Sequence, residues 1–175
     1  MASRAPMDLN GLASAGPADL WTAGLEESLR RVATLAAAAL SAPSASVIFA
    51  NARELPRISG PARIGDQRSP YAQLLCAQVV GSADKVIIGD TRLGRCLSNA
   101  GLPGRVIAWA GVPVRDQDGH VAGVLWVADR KPRSWSAGDV AILEILAEVA
   151  SSDVILRAAL AHSAGRAALA RTLEE

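Results

Sequence analysis

Apolar and small residues run from Val106 to Val114, broken in character only by Pro113, and again from Val121 to Ala128. Strands that allow no polar alternate are covered on both faces. Asp118-Gly119 lies between them and suits a two-residue hairpin turn, because Gly takes a positive φ cheaply and Asp tolerates one. The pattern predicts a central antiparallel hairpin buried on both sides.

Elsewhere the period changes. From Asp19 to about Leu40, the residues Trp21, Leu25, Leu29, Val32, Leu35, Ala36 and Ala39 recur at helical spacing. Glu26, Glu27, Arg30 and Arg31 take the other side, Asp19 can cap the start, and Pro43 helps to stop it. Met1 to Ala18 shows no period and is expected to be disordered. Ser46 to Ala50 reads as a short strand, with Arg53 to Ser59 as an edge partner because Pro56 cannot donate to a ladder. Gly60 to Pro70 reads as a loop, Pro70 to Val80 as a helix, and Val86 to Ile88 as a brief strand. Asp90 then caps a short helix through about Ser98.

After the hairpin, Ser136 and Asp139 form a capping-box start with acidic charge at the helix amino end. The helix that follows is expected to pass Leu160, long against a mean of about 11–12 residues. It carries two apolar stripes: Ile142, Ile145, Val149, Leu156 and Leu160, and Leu143, Ala147, Ala150, Val154 and Ala158. A helix apolar on two sides needs two partners. The sheet supplies one, and the amino-terminal helix or a second subunit the other. Gly165 is a candidate interruption; Arg166 to Leu173 returns to helical spacing without a stop signal, as expected of a piece of a longer protein. Together these elements give an α+β fold with an antiparallel sheet of five or six strands. Its expected divisions are a disordered segment 1–18, a domain 19–160 and a helical extension or linker 161–175.

Composition narrows the function classes. The 175 residues bury one sizeable core. Lys and Arg total 18 against 17 Asp and Glu, which leaves no field to draw in nucleic acid or an anionic membrane. No apolar run reaches the ~20 residues of a membrane helix and no signal peptide is visible, so a cytoplasmic protein is expected. Cys76 and Cys96 lack Cys-x-x-Cys spacing and a nearby His, which argues for reduced thiols and against a metal site. His120 falls in the hairpin turn, where it is expected to be solvated, and His162 on the far part of the last helix. No catalytic triad order, phosphate loop or paired acids stand out.

The order AGVPV, R-D-x-D-G, VAGVLWVAD, KPRSW-S-x-x-D and a long apolar helix resembles the end of a GAF domain, a small sensory module of signalling proteins. YAQLLCAQVV followed by KVIIGD resembles the middle of the same family, so the likeness spans about Leu25 to Val154. It implies a GAF-like (profilin-like) sheet with the terminal helices on one face and loops and short helices on the other. It also implies a small-molecule pocket beneath that second cover. The corresponding candidates are Phe49, Tyr71, Leu75, Cys76, Asp90, Trp109, Trp126 and Asp129. Each has a plainer reading. Phe49, Trp109 and Trp126 fill a core, Asp90 caps a helix, Asp129 fixes the turn before Lys131-Pro132, and Cys76 is a buried inert thiol. Buried indole N–H groups still want acceptors, which leaves room for a ligand carbonyl or a backbone oxygen.

The signatures of cyclic-nucleotide-binding and bilin-binding GAF domains are missing, and no cofactor is indicated. The expected function is a bacterial signal-transduction sensor that binds a small ligand or senses redox state and signals through its terminal helices. The alternatives are a ligand-free helical dimerisation module and a thiol-dependent free methionine sulfoxide reductase. The enzyme reading is the weaker, because the segment aligned with that family's Cys cluster is RVIAWAGVPV. The expected partner is a second copy, in parallel, through Leu25, Leu29 and Val32 of the first helix and Ile142, Ile145, Val149 and Leu156 of the last. A kinase, phosphatase or RNA-binding output domain is the partner implied by family analogy.

Overall fold

The computed structural model describes residues 18–49, 58–59, 70–93 and 106–172. Helix α1 spans Ala18–Ala39. Leu25, Leu29, Val32, Ala33 and Ala36 line its buried side, while Arg30 and Arg31 pair with Glu26 and Glu27 on the outer side. Its end is set before Pro43. Ser41 takes a left-handed φ of 48°, and the N–H groups of Ser41 and Ala42 return to the carbonyls of Ala38 and Ala37. That double bond satisfies carbonyls the helix would otherwise leave open.

Strands β1 (Ser44–Phe49), β2 (Ile58–Ser59), β3 (Val86–Ile88), β4 (Ala108–Arg115) and β5 (Val121–Asp129) make a sheet in the order β2-β1-β5-β4-β3. All its pairings are antiparallel. Four strands form its body, and β2 adds a two-residue edge against Ser46 and Val47. Helix α2 (Pro70–Ser82) precedes β3, and a short 3-10 turn at Thr91–Leu93 follows it. Residues 1–17 of the segment expected to be disordered, 60–69 of the expected loop and 94–98 of the helix drawn through Ser98 lie outside the described residues, as does Cys96, while Ala18, expected to be disordered, opens α1.

The central hairpin is present, but its turn is wider than Asp118-Gly119 predicts. The ladder ends at Arg115 opposite Val121, with a register shift at Val114/Arg115. The buried carboxylate of Asp116 governs the turn. Its Oδ1 accepts from the N–H groups of Asp118 and His120 at 2.9 Å, and its backbone N–H donates to His120. Gly119 supplies the positive φ, 79°. A side chain able to hold two N–H donors displaces the tight turn. Asp116, Asp118 and His120 lie within 4.8 Å of one another as a result, and His120 is only half-exposed.

Helix α3 runs from Ala137 to Thr172 without a break at Gly165, so 161–175 does not begin at a helix boundary. One interior glycine costs about 1 kcal/mol against Ala, too little to split so long a helix. Its start is the reciprocal cap expected: Ser136 N–H donates to Asp139 Oδ2 at 2.9 Å, and Asp139 N–H to Ser136 Oγ at 3.0 Å. The two stripes separate as the pattern requires. Leu143, Ala147, Ala150, Val154 and Ala158 are buried, whereas Ile145, Val149 and Leu156 are 59%, 52% and 57% exposed.

Because side chains alternate along a strand, β1, β4 and β5 feed two cores. Ala45, Val47, Phe49, Ala110, Val112, Val114, Leu125 and Val127 meet α1 and α3. Trp109, Val124, Trp126 and Ala128 meet Leu75, Cys76 and Val79 of α2. The terminal helices therefore share one face, and α2 covers the other.

Candidate functional site

The face under α2 is built from opposed residues of four strands, which stand side by side in an antiparallel sheet. One row reads Ser46, Trp126, Gly111, Val86, and the next Ser44, Ala128, Trp109, Ile88. Small residues flank both indoles. At Gly111 the fit is strict, because a Cβ there would stand 2.1 Å from Cη2 of Trp109. The Trp109 ring therefore lies over Gly111, the residue directly opposite Trp126 on β5. Leu75, Cys76 and Val79 close the face from α2, with Ile48, Val86, Ile88 and Val106 at its margin.

Within this apolar layer stand two polar atoms without partners among the described residues. Trp109 and Trp126 are 1% and 4% exposed, and Nε1 of each is buried with no described acceptor. Buried N–H groups are nearly always paired, and an orphan costs about 1–3 kcal/mol. Trp135 shows the usual arrangement: its Nε1 donates to the Ile88 carbonyl at 3.0 Å.

The structure brings Leu75, Cys76, Trp109 and Trp126 together, and sends the other candidates elsewhere. Phe49 belongs to the opposite face, among α1 and α3, because it is in step with Ala45 and Val47 and out of step with Ser46. Asp90 is occupied by Arg92: Oδ1 accepts from the Arg92 backbone N–H at 3.0 Å and from Nε at 2.9 Å, and Oδ2 from Nη2 at 2.6 Å. The guanidinium holds the Asp90 carboxyl below its ordinary value, chiefly through the side-chain hydrogen bonds. Asp129 Oδ1 accepts from Lys131 N–H at 3.1 Å, the turn-fixing role expected of it. Tyr71 falls within α2, but its side chain lies outside the described residues. Cys76 is buried within the apolar layer, beside Leu75 and Val79.

The residues named for self-association also divide. Leu25, Leu29 and Val32 are buried against this chain's own core, so they have no surface left for a second copy. Heptad-like spacing does not distinguish a partner in the same chain from one in another. Ile142, Ile145, Val149 and Leu156 remain exposed.

One brace escapes a motif search. Arg133 stacks on Trp135 at 4.8 Å, donates through Nη2 to the Leu40 carbonyl at 2.6 Å, and donates its backbone N–H to the Gly89 carbonyl at 2.9 Å. The KPRSW segment thus ties the end of α1 to the end of β3. Its only advance signal is an Arg beside a Trp in a polar link, which is common at surfaces. Ser151 Oγ of α3, meanwhile, accepts from Arg115 N–H of β4 at 2.8 Å.

The GAF domain family model matches residues 24–154. No curated protein matches the chain. Among solved structures, the chain is similar to the GAF domain of an Acinetobacter phosphoenolpyruvate-protein phosphotransferase, at 20% identity and a TM-score of 0.57, covering 93% of this chain and 99% of that one. It is similar to GAF3 of a Synechocystis sp. PCC6803 protein in its photoproduct state, at 17% identity and a TM-score of 0.55, covering 79% and 98%. It also resembles the free methionine-R-sulfoxide reductase of Neisseria meningitidis, solved with its substrate, at 20% identity and a TM-score of 0.53, covering 85% and 81%. At these identities the likeness is one of fold. Among the described residues no helix is long and apolar enough to cross a membrane.

Proposed function

The chain belongs to the GAF domain family, and from that premise we propose that it is a signalling module that binds a small ligand on the α2 face of its sheet and answers through α3. One observation carries the reading. Each central strand presents an indole to α2 and, one residue along, a small or branched side chain to the terminal helices. Trp109 precedes Ala110, and Trp126 sits between Leu125 and Val127. A ligand that shifts either indole has a single strand between it and the helix pair. Close-packed cores pass on such shifts rather than absorb them.

The output in this reading is a parallel pairing of α3 with its copy in a second chain, through Ile142, Ile145, Val149 and Leu156. Large apolar side chains repeated along one exposed helix side are the pattern of a coiled-coil seam. The α1 stripe takes no part in that seam. A kinase, phosphatase or RNA-binding domain would then read the relative setting of the two rods. The presence of this fold in a phosphotransferase supports that role. A regulatory role is preferred over the thiol-dependent reductase alternative, because the segment RVIAWAGVPV carries no Cys.

The test combines a thermal-shift screen of nucleotides, haem, flavin and metabolites with light scattering on I145E/V149E. A stabilising compound together with a dimer that the double variant dissolves is the expected result. A dimer with no stabilising compound transfers the role to a ligand-free dimerisation module, and a monomeric parent protein removes the α3 seam.

A further inference from the structure

The two orphaned indoles constrain what the α2 face accepts. In the rows around them, every side chain is uncharged: Ser44, Ser46, Ile48, Val86, Ile88, Gly111, Val124 and Ala128, with Leu75, Cys76 and Val79 above. Asp90 and Asp129, the nearest acids in sequence, already hold Arg92 and the Lys131 N–H. Among the described residues an ion brought to this layer would meet no countercharge and would keep most of its desolvation cost. A neutral acceptor oxygen meets the opposite situation. It finds two N–H donors whose dehydration was completed when the chain folded, so each bond formed is close to net gain.

We infer that the ligand of this face is an uncharged, mainly apolar molecule bearing carbonyl-class oxygens (amide, ketone or sulfoxide) that accept from Trp109 Nε1 and Trp126 Nε1. The inference rests on the ligand-binding reading above and narrows it to a chemical class. Phe at either position keeps an aromatic ring but removes the N–H donor together with part of the indole, so W109F and W126F assign the peaks and test the donors.

The experiment follows the indole N–H cross-peaks of the ¹⁵N-labelled protein, assigned with those variants, during titration with benzamide, benzoate and benzylammonium. The three probes share a ring and differ in charge. Benzamide is expected to shift the Trp109 and Trp126 peaks and leave Trp135 in place. Its apparent affinity should fall about fivefold in W126F or W109F, the loss of one net hydrogen bond. Neither ion should move those peaks at the same concentration. A stronger response to benzoate or benzylammonium overturns the neutral class while leaving the face a ligand site. Peaks that no probe moves, with a bound water as the sole partner of the indoles, overturn the inference outright. The metabolite screen then decides separately whether the ligand-binding reading survives. The charge comparison in the unaltered protein stands even if one Phe variant folds poorly.

Discussion

On the helix face, Ala45, Val47, Ala110, Val112, Leu125 and Val127 meet Leu29, Ala36, Leu143 and Ala150, and each of these side chains is hydrocarbon. On the α2 face the same strands carry two indoles among small residues, with two donors that no described group accepts. The first face is what folding alone selects: apolar side chains of modest size, many of them Ala, letting two helices approach closely. The second face keeps polar atoms that folding alone does not favour, since hydrocarbon side chains would fill it without an orphaned N–H. A sheet whose faces are closed by such different means has one side shaped by stability and another shaped by something besides it.

Three measurements press on that contrast. The largest effect belongs to Leu143→Ala. Leu143 is fully buried between α3 and the sheet, and truncation there costs about 2–5 kcal/mol. A chemical denaturation midpoint moved by less than about 1 kcal/mol equivalent would show that the helix face is not the stabilising side. Gly111→Ala comes next. The added methyl has no room beside Trp109, and overpacking of this kind costs about 1–3 kcal/mol. The same change should move the indole fluorescence of the α2 face while leaving the far-ultraviolet circular dichroism intact. An unshifted midpoint and spectrum would mean that the Trp109 ring is free to move aside. Smallest is Asp139→Asn at the start of α3. The Ser136 backbone N–H, then its hydroxyl, holds the Asp139 carboxyl below its ordinary value. Its contribution is thus present above the unfolded carboxylate pKa and is lost as pH falls through the lower folded one. Melting curves of parent and variant should differ slightly at neutral pH and converge in acid; a gap that widens in acid contradicts the cap.

Much of this architecture could be read before any coordinates. The unbroken apolar runs of β4 and β5, the Ser136–Asp139 cap and the two stripes of α3 are local patterns with one physical reading each. The rest depended on distances that periodicity does not hold. Phe49 was separable from Ser46 by strand alternation, but which parity faces which helices is settled only by packing. Leu25, Leu29 and Val32 carry the same spacing whether their partner is in the same chain or another. The wide turn at Asp116 was hidden because Asp118-Gly119 is a good short turn by itself, and the competing buried carboxylate lies two residues earlier. The two indoles were visible as Trp109 and Trp126; that neither finds an acceptor is a property of the assembled layer alone.

The unbroken course of α3 has a mechanical consequence. At about 1.5 Å per residue its 36 residues extend roughly 54 Å, and the buried stripe described along it runs from Leu143 to Ala158. A stiff beam held along one portion multiplies angle into travel farther along. Over the roughly 21 Å from Ala158 to Thr172, a tilt of about 5° carries the far end about 2 Å. In the proposed signalling reading, a small adjustment beside Trp109 or Trp126 that tilts α3 would arrive at its far end enlarged.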